Sequence, residues 1–185
     1  MAQGFNIRIL LICWGLILGA GLSSADELTT VDQALRQIYP DAAEFKKEIV
    51  NLSDQQQQAI AQKAQVSFDG GHMPQITIYT VYADGQVLGY AMEDTVIGKW
   101  GPIHYLVGIS PQGAVVQTVV LDYQEIRGRP IAKKRFLRQY TGKTVRDPVQ
   151  LRQDIDGITG ATISSRSITD GVRKLLHAFD VIMNR

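Results

Sequence analysis

The chain has 185 residues, a formal net charge of +1, 45% hydrophobic residues and 20% charged residues. Its length suits one ordinary domain and its composition is that of a globular protein, while the near-neutral charge argues against a nucleic-acid-binding surface. The single cysteine, Cys13, excludes an intrachain disulfide and any zinc, iron–sulfur or c-type haem site built on several cysteines. The sequence therefore predicts a single domain whose chemistry does not depend on thiol pairs.

Residues 1–25 have the pattern of a secretory signal peptide. One basic residue, Arg8, precedes an unbroken run of apolar and glycine residues at 9–22, and small residues follow at 23–25. The run is shorter than the roughly 20 residues that span a bilayer. We therefore expect residues 1–25 to be removed and the protein to be periplasmic or otherwise exported. The alternative is that residues 9–22 remain as a membrane anchor.

Residues 26–70 are predicted to form an N-terminal helical segment. Apolar residues recur at helical spacing over residues 28–39, which predicts an amphipathic helix. A second short piece, helical or mixed, is expected at 41–50. Ser53 has the character of an N-cap for a further helix over residues 55–65.

Residues 71–185 are predicted to contain an antiparallel sheet and a closing helix. Polar and apolar residues alternate in several runs, and short turns with glycine separate them. The predicted strands are 75–82, 86–92, 102–109 and 114–123. A short helix is expected at 133–140, and a longer one begins near Ser164. The fold class is therefore α+β, an antiparallel sheet of hairpins flanked by N-terminal helices and a closing C-terminal helix.

A loop rich in glycine and hydroxyl groups precedes the closing helix, at residues 154–165 (DIDGITGATISS). A helix N-terminus attracts anions through its unpaired N–H groups and its dipole, and glycine lets a phosphate approach the backbone. This loop therefore favours phosphate binding, although it contains no established nucleotide-binding motif. The alternative is that its serines and threonines are ordinary helix caps and its glycines ordinary turn residues.

Residues 159–164 (TGATIS), with Asp156 three residues before them, resemble the flavinylation motif of the FMN-binding domain family. That family includes redox subunits of sodium-translocating NADH:quinone reductases and of Rnf-type electron-transfer complexes, together with small exported FMN proteins. The resemblance implies that FMN is joined to Thr162 by a phosphoester. It also implies a periplasmic flavin transferase that makes this bond with FAD as the donor.

The resemblance covers most of residues 76–176. Residues 98–103 and 107–113 resemble the glycine-rich turn, strand and hairpin of the family, and residues 136–143 resemble the stretch that precedes the motif. Residues 123–128 (YQEIRG) depart from the family's Glu-Thr-Pro-Gly-x-Gly loop and resemble the Glu-x-Arg-Gly variant of the small exported members. The departure leaves the attachment site intact and concerns the contacts to the flavin ring.

The candidate cofactor-binding residues fall into two groups. Those around the phosphate are Asp156, Gly157, Thr159, Gly160, Ala161, Thr162, Ser164 and Ser165, and those along the flavin ring are Glu125, Arg127 and Gly128. Asp156 is expected to serve the transferase reaction or to fix the loop, or else only to cap a turn, and Ser164 and Ser165 either to cap the helix or to bind the phosphate. Trp100 is expected either to stack on the ring or simply to pack against other side chains.

Two further sets of side chains carry weaker signals. The histidines have no metal-ligand spacing, so no metal site is predicted; they are His72, His104 and His177. A basic cluster in the predicted helix 133–140 is either a solvated helix face or a docking surface for an acidic redox partner; it consists of Lys133, Lys134, Arg135 and Arg138.

Together these features predict an exported flavoprotein that carries FMN on Thr162 and transfers electrons between partner proteins, one of which can be membrane-bound. No catalytic residue is predicted, because nothing in the sequence indicates a substrate pocket with a proton donor. The alternatives are a periplasmic reductase of a small substrate, a non-redox binding or assembly module, and a cofactor-free domain. The chain itself contacts a membrane only if the leader is retained.

Overall fold

The computed structural model describes residues 26–66, 73–123 and 129–183. Within these residues, six strands form one antiparallel sheet in the order β1-β6-β5-β4-β3-β2. The strands are β1 (Asp26–Glu27), β2 (Glu44–Asn51), β3 (Gln75–Ala83), β4 (Gln86–Ile97), β5 (Pro102–Ile109) and β6 (Val115–Tyr123). The four strand predictions between residues 75 and 123 are confirmed, and β4 extends five residues beyond its predicted end, from 92 to 97.

The helices lie before, after and within the run of strands. They are α1 (Val31–Ile38), α2 (Asp54–Ala64), α3 (Lys134–Leu137) and α4 (Thr162–Met183), with short 3-10 helices at Arg129–Ala132 and Arg138–Tyr140. Thr30 and Ser53 cap α1 and α2, and each forms a reciprocal capping box with a glutamine three residues later. The predicted α+β class, with N-terminal helices and a closing C-terminal helix, is confirmed.

The prediction of a helical or mixed piece at residues 41–50 was wrong. These residues enter β2, which pairs with β3 without interruption from Glu44 opposite Tyr82 to Asn51 opposite Gln75. β2 lies at an edge of the sheet, and most of its side chains are exposed. Because an exposed edge strand needs no regular apolar alternation, pairing with β3 determines its conformation and local pattern does not.

Helix α4 covers one face of the sheet and forms the larger core with it. Ile168, Val172 and Leu175 of α4 are fully buried against the sheet side chains Tyr105 and Val107. Gly171 faces Tyr105, and a Cβ atom there would lie 2.9 Å from Cγ1 of Val96. The small residue therefore lets α4 approach the sheet closely.

Helix α1 covers the other face over a smaller area. Leu35 and Ile38 pack on Val81 and Leu106 in a second, smaller core. Tyr39, directly after α1, donates hydrogen bonds from its hydroxyl to the carbonyl oxygens of Tyr90 (2.7 Å) and Ile109 (2.9 Å).

No helix in the described part of the chain combines the length and the apolar character that crossing a bilayer requires. The predicted signal peptide and anchor, residues 1–25, lie outside the described residues, and so does His72.

Candidate functional site

The predicted attachment residue, Thr162, is the first residue of α4, and its side chain is exposed. The chain turns into the helix through Gly160, whose φ of +83° lies in the left-handed region that favours glycine. Ala161 is buried, and its carbonyl accepts the N–H of Ser165 (2.9 Å) to begin the helical hydrogen bonding. Thr162 is thereby presented to solvent at the positive end of the helix dipole.

Ser164 and Ser165 are buried and hold other segments against α4. The Ser165 hydroxyl accepts the N–H of Ile158 (3.2 Å), which ties the loop to the helix. The Ser164 hydroxyl accepts the N–H of Lys99 (3.2 Å), which ties the β4–β5 turn to the helix. These contacts give both serines a positioning role in the described structure.

The other end of the loop is held by Gln139. Its side-chain oxygen accepts the N–H of Asp156 (2.8 Å), and its side-chain nitrogen donates to the Asp156 carbonyl (3.1 Å). The Asp156 side chain is exposed, as are Gly157 and Thr159. Gln139 thus positions the loop, a role that sequence reasoning did not assign to it, because it reaches the loop across 17 residues of chain.

Three exposed apolar residues lie near the first two turns of α4. They are Ile97, Trp100 and Ile163, which are 56%, 55% and 53% exposed. Ser167 joins α4 to the end of β4 by donating a hydrogen bond from its hydroxyl to the Ile97 carbonyl (2.7 Å). The Lys99 ammonium lies 4.9 Å from the centre of the Trp100 ring and adds a positive charge. Trp100 is thus not a core residue.

The position of α4 on the sheet is fixed by polar contacts as well as by packing. The Tyr105 hydroxyl donates to the Asp94 carboxylate (2.6 Å), and Lys174 of α4 pairs with the same carboxylate (2.9 Å). Burial raises the pKa of Tyr105 well above its ordinary value, so the hydroxyl remains a donor. The Thr169 hydroxyl donates to the Ser165 carbonyl (2.7 Å) and contacts the Tyr140 hydroxyl (2.9 Å).

The start of α4 fits both parts of an FMN group. A phosphoester requires an accessible hydroxyl, which the exposed Thr162 supplies, and the helix N-terminus favours the negative charge of the phosphate. A flavin ring requires apolar contact area; the exposed Ile163 follows Thr162 directly, and the exposed Trp100 lies in the β4–β5 turn that Lys99 ties to Ser164. Among the described residues there is no cluster of metal-ligating side chains.

The structure brings together the phosphate group of candidates but describes only part of the predicted site. Asp156, Gly157, Thr159, Gly160, Ala161, Thr162, Ser164 and Ser165 lie in one loop and helix start. The ring candidates Glu125, Arg127 and Gly128 lie outside the described residues. Ile163 and Ser167 were not predicted as site residues. Ile163 follows Thr162 directly and Ser167 lies about one turn further along α4, so their position in the sequence could have indicated them.

Comparisons with known proteins converge on one family and on one kind of complex. Residues 98–177 match the family model described as FMN-binding domain. The chain is 26% identical over 172 residues to the G subunit of the Na(+)-translocating ferredoxin:NAD(+) oxidoreductase complex of Acetobacterium woodii, an alignment that covers 86% of this chain and 79% of that one. It is 28% identical over 146 residues to the G subunit of the ion-translocating oxidoreductase complex of Methanosarcina acetivorans, covering 76% and 70%.

The fold is also similar to that of a solved structure. The C subunit of the Na(+)-translocating NADH-quinone reductase from Parabacteroides distasonis aligns with a TM-score of 0.55 and 17% identity, over 84% of this chain and 85% of that one. The two chains therefore share an α+β fold over most of their length.

Proposed function

We propose, because residues 98–177 match the family model described as FMN-binding domain, that this protein is an exported electron-transfer flavoprotein that carries FMN in a phosphoester with Thr162. The observation that carries this proposal is the exposed Thr162 hydroxyl at the start of the 22-residue helix α4, followed directly by the exposed Ile163. The proposal takes residues 71–185 as the FMN-binding domain.

The chain's own residues present the acceptor and support the cofactor. FMN, when bound, supplies the redox chemistry. In maturation the Thr162 oxygen loses its proton and forms the bond to phosphorus, and AMP leaves from the FAD donor. Gln139 and Ser165 hold the loop in place at Asp156 and at Ile158, and the helix dipole stabilises the phosphate charge. Trp100 and Ile163 would offer apolar contact area to the ring.

The relatives support a role among partner proteins. Two of them are named as subunits of ion-translocating oxidoreductase complexes. We infer that this protein likewise works beside other proteins, receiving electrons from one partner and delivering them to another after a flavin transferase has attached the cofactor. Covalent attachment suits an exported carrier, because a dissociated cofactor would be diluted outside the cell.

The intact mass of the protein, co-produced with a flavin transferase, tests this proposal. We expect wild type to gain the mass of one FMN less one water, and Thr162→Ala to gain nothing. Thr159→Ala is the matched control, because Thr159 is also exposed and lies three residues earlier in the same loop. An equal gain in Thr162→Ala, or its loss in Thr159→Ala alone, would contradict the assignment of Thr162.

A second measurement separates electron transfer from the alternative of a self-contained reductase. The purified, flavin-carrying protein is reduced and mixed with small oxidised substrates in the absence of other proteins. We expect no sustained turnover. Steady consumption of one such substrate would favour the reductase instead.

A further inference from the structure

The outer edge of β6 is open along most of its length. At one end, Asp26 and Glu27 of β1 pair with Tyr123 and Asp122. At the other end, Val115 exchanges backbone hydrogen bonds with Gly142 (2.7 Å) and Lys143 (2.8 Å). Between these attachments, no strand of the described residues pairs with residues 116–120 on the side away from β5. An edge of this kind can accept another strand.

A groove of about 550 Å³ follows this open edge. Residues 116–120 of β6 form its floor, Leu28 and Gln37 line one side, and Ala132 and Leu137 line the other. An extended segment rises by about 3.3 Å per residue, so five residues of a visiting strand would run alongside five residues of β6. The groove therefore has the form of a docking site for an extended chain.

Thr118, in the middle of the open edge, has a buried hydroxyl without a partner. Its side chain is 2% exposed, and its hydroxyl oxygen has no hydrogen-bond partner in the described part of the molecule. Buried polar groups are nearly always hydrogen-bonded, so an unpartnered hydroxyl in a groove wall calls for an explanation. A chain entering the groove would bring polar backbone groups to this strand.

The charge on the rim indicates the chemistry of the occupant. Four exposed cations lie within six residues of chain at α3, and among the described residues none of them forms an ion pair; they are Lys133, Lys134, Arg135 and Arg138. Lys134 and Arg138 line the groove itself. Because the whole chain has a net charge of only +1, this positive rim is a local feature. It complements an acidic segment.

We propose that the β6 edge binds an acidic, extended segment of a partner protein, which adds to the sheet as a strand beside residues 116–120 and places its carboxylates against Lys134 and Arg138. Backbone hydrogen bonds give such a contact its affinity, and the rim charges select its sequence. A second copy of this chain is a poorer occupant, because edge-to-edge pairing would bring two basic rims together. The contact does not depend on flavin, because no residue of the loop 154–165 lines the groove.

The probe for this proposal is a fluorescein-labelled nine-residue peptide of alternating valine and glutamate, titrated into the full chain and followed by fluorescence anisotropy. We expect saturable binding that weakens with added salt, and at least tenfold weaker binding of the same peptide with lysine in place of glutamate. We expect the double variant Lys134→Glu/Arg138→Glu to weaken binding of the glutamate peptide at least tenfold. Both side chains are exposed, so the variant should fold.

Two matched controls separate this edge from the rest of the surface. Lys46→Glu/Lys47→Glu makes the same charge change on β2, the opposite edge strand, and should leave peptide binding unchanged. N-methylation of the peptide's amides along one edge should abolish binding, whereas methylation along the other edge should not, because a docked strand uses only one edge. Wherever the peptide binds, backbone amide NMR shifts should fall at residues 116–120.

Several results would overturn the proposal. Absence of saturable binding at millimolar peptide would do so, as would equal binding of the glutamate and lysine peptides. NMR shifts confined to β2 would show that the peptide binds at the other edge of the sheet instead. A dimer of the chain alone, detected by analytical ultracentrifugation and lost in Lys134→Glu/Arg138→Glu, would make a second copy the occupant. Loss of FMN attachment in Thr162→Ala changes none of these outcomes.

Discussion

The two faces of the sheet are covered in different ways. On one face the 22-residue helix α4 packs a continuous core and is anchored by Lys174 and by Gly171 over Tyr105. On the other face the eight-residue helix α1 covers a smaller core. Beyond it lies a polar cluster in which His104 contacts Glu93 (2.9 Å) and Asp122 (3.1 Å).

The α4 face positions the candidate site, whereas the α1 face only supports the sheet. Thr162 begins α4, so anything that shifts this helix also shifts the attachment residue. Neither α1 nor the His104 cluster contributes a residue to the loop 154–165. Changes on the α4 face should therefore alter both stability and flavin attachment, whereas changes on the α1 face should alter stability alone.

The largest effect is expected from Gly171→Val. The added side chain would collide with the Tyr105 hydroxyl and with Val96, because α4 is too extensively buried to move away. We expect a loss of about 3 kcal/mol in the free energy of unfolding, measured by urea denaturation. We also expect a lower fraction of flavin-carrying protein by intact mass.

Gly108→Val is the matched control on the α1 face. A Cβ atom there meets Cγ2 of Ile38 and approaches the Tyr39 hydroxyl at 3.4 Å. Because α1 is short and can shift, we expect a loss of about 1.5 kcal/mol. The folded fraction should attach flavin as wild type does. Equal losses of flavin in both variants would show that the two faces do not differ in this respect.

A smaller effect is expected from Arg173→Met, which removes a link from α4 to two other segments. The Arg173 guanidinium donates to the carbonyl oxygens of Ala64 (2.6 Å) and Val149 (2.7 Å) and pairs with Asp170 (2.8 Å). Met keeps the apolar stem and leaves both carbonyls without this donor. We expect a loss of about 2 kcal/mol in urea denaturation. A loss below about 0.5 kcal/mol would mean that water replaces the guanidinium.

The polar cluster on the α1 face should make stability depend on pH. The hydrogen bond to Glu93 raises the pKa of His104, and Asp122 adds to this effect. The same hydrogen bond lowers the pKa of Glu93. Because the pKa of His104 is higher in the folded protein, its charge stabilises the fold fully below the unfolded pKa of about 6.5. This stabilisation is lost as the pH rises through the folded pKa. A lowered glutamate pKa gives stability above about 4.3 that is lost as pH falls.

His104→Gln tests this dependence. We expect a loss of about 1 kcal/mol at pH 6 and a smaller loss at pH 9, because wild type has by then lost the contribution of the charged imidazole. Urea denaturation at both pH values measures the difference. His177→Gln is the control: burial lowers the pKa of His177, so its removal should not abolish the fall in stability above pH 6.5. A loss in His104→Gln that is equal at both pH values would contradict the ionic contribution.

The smallest effect is expected from Lys63→Gln. Lys63 pairs with Asp180 of α4 at 2.9 Å, but its side chain is 51% exposed, so solvent screens the pair. We expect a loss of no more than about 0.5 kcal/mol and unchanged flavin attachment. A loss of 2 kcal/mol or more would show that this ion pair anchors α4 as strongly as its buried contacts do.

The parts of the fold that were predicted are those that local sequence determines. Thr30 and Ser53 start their helices through contacts three residues away, and strands β3 to β6 alternate or end at turns that the sequence marks. The strand β2 was mistaken for a helical or mixed piece because its exposed residues leave no periodic pattern. Its conformation depends on β3, which lies far along the chain.

The candidate site divides in the same way. The loop and the start of α4 could be predicted because the motif and the helix start are contiguous in sequence; the attachment of FMN to Thr162 stays a prediction. Gln139 reaches Asp156 from 17 residues away, and the backbone of Ile97 and of Lys99 contacts the first turns of α4 from another hairpin. Such contacts depend on tertiary packing and have no sequence period. Glu125, Arg127 and Gly128 stay predictions.

The clamp on the attachment loop has a consequence for maturation. Gln139 binds both backbone groups of Asp156, and the buried Ser165 hydroxyl binds Ile158, so the segment that leads into the turn before Thr162 is tied to the folded body by the protein itself. Under the proposed function, an enzyme that attaches FMN to Thr162 would meet a shaped surface and not an extended peptide. The folded protein would then be the substrate of that reaction.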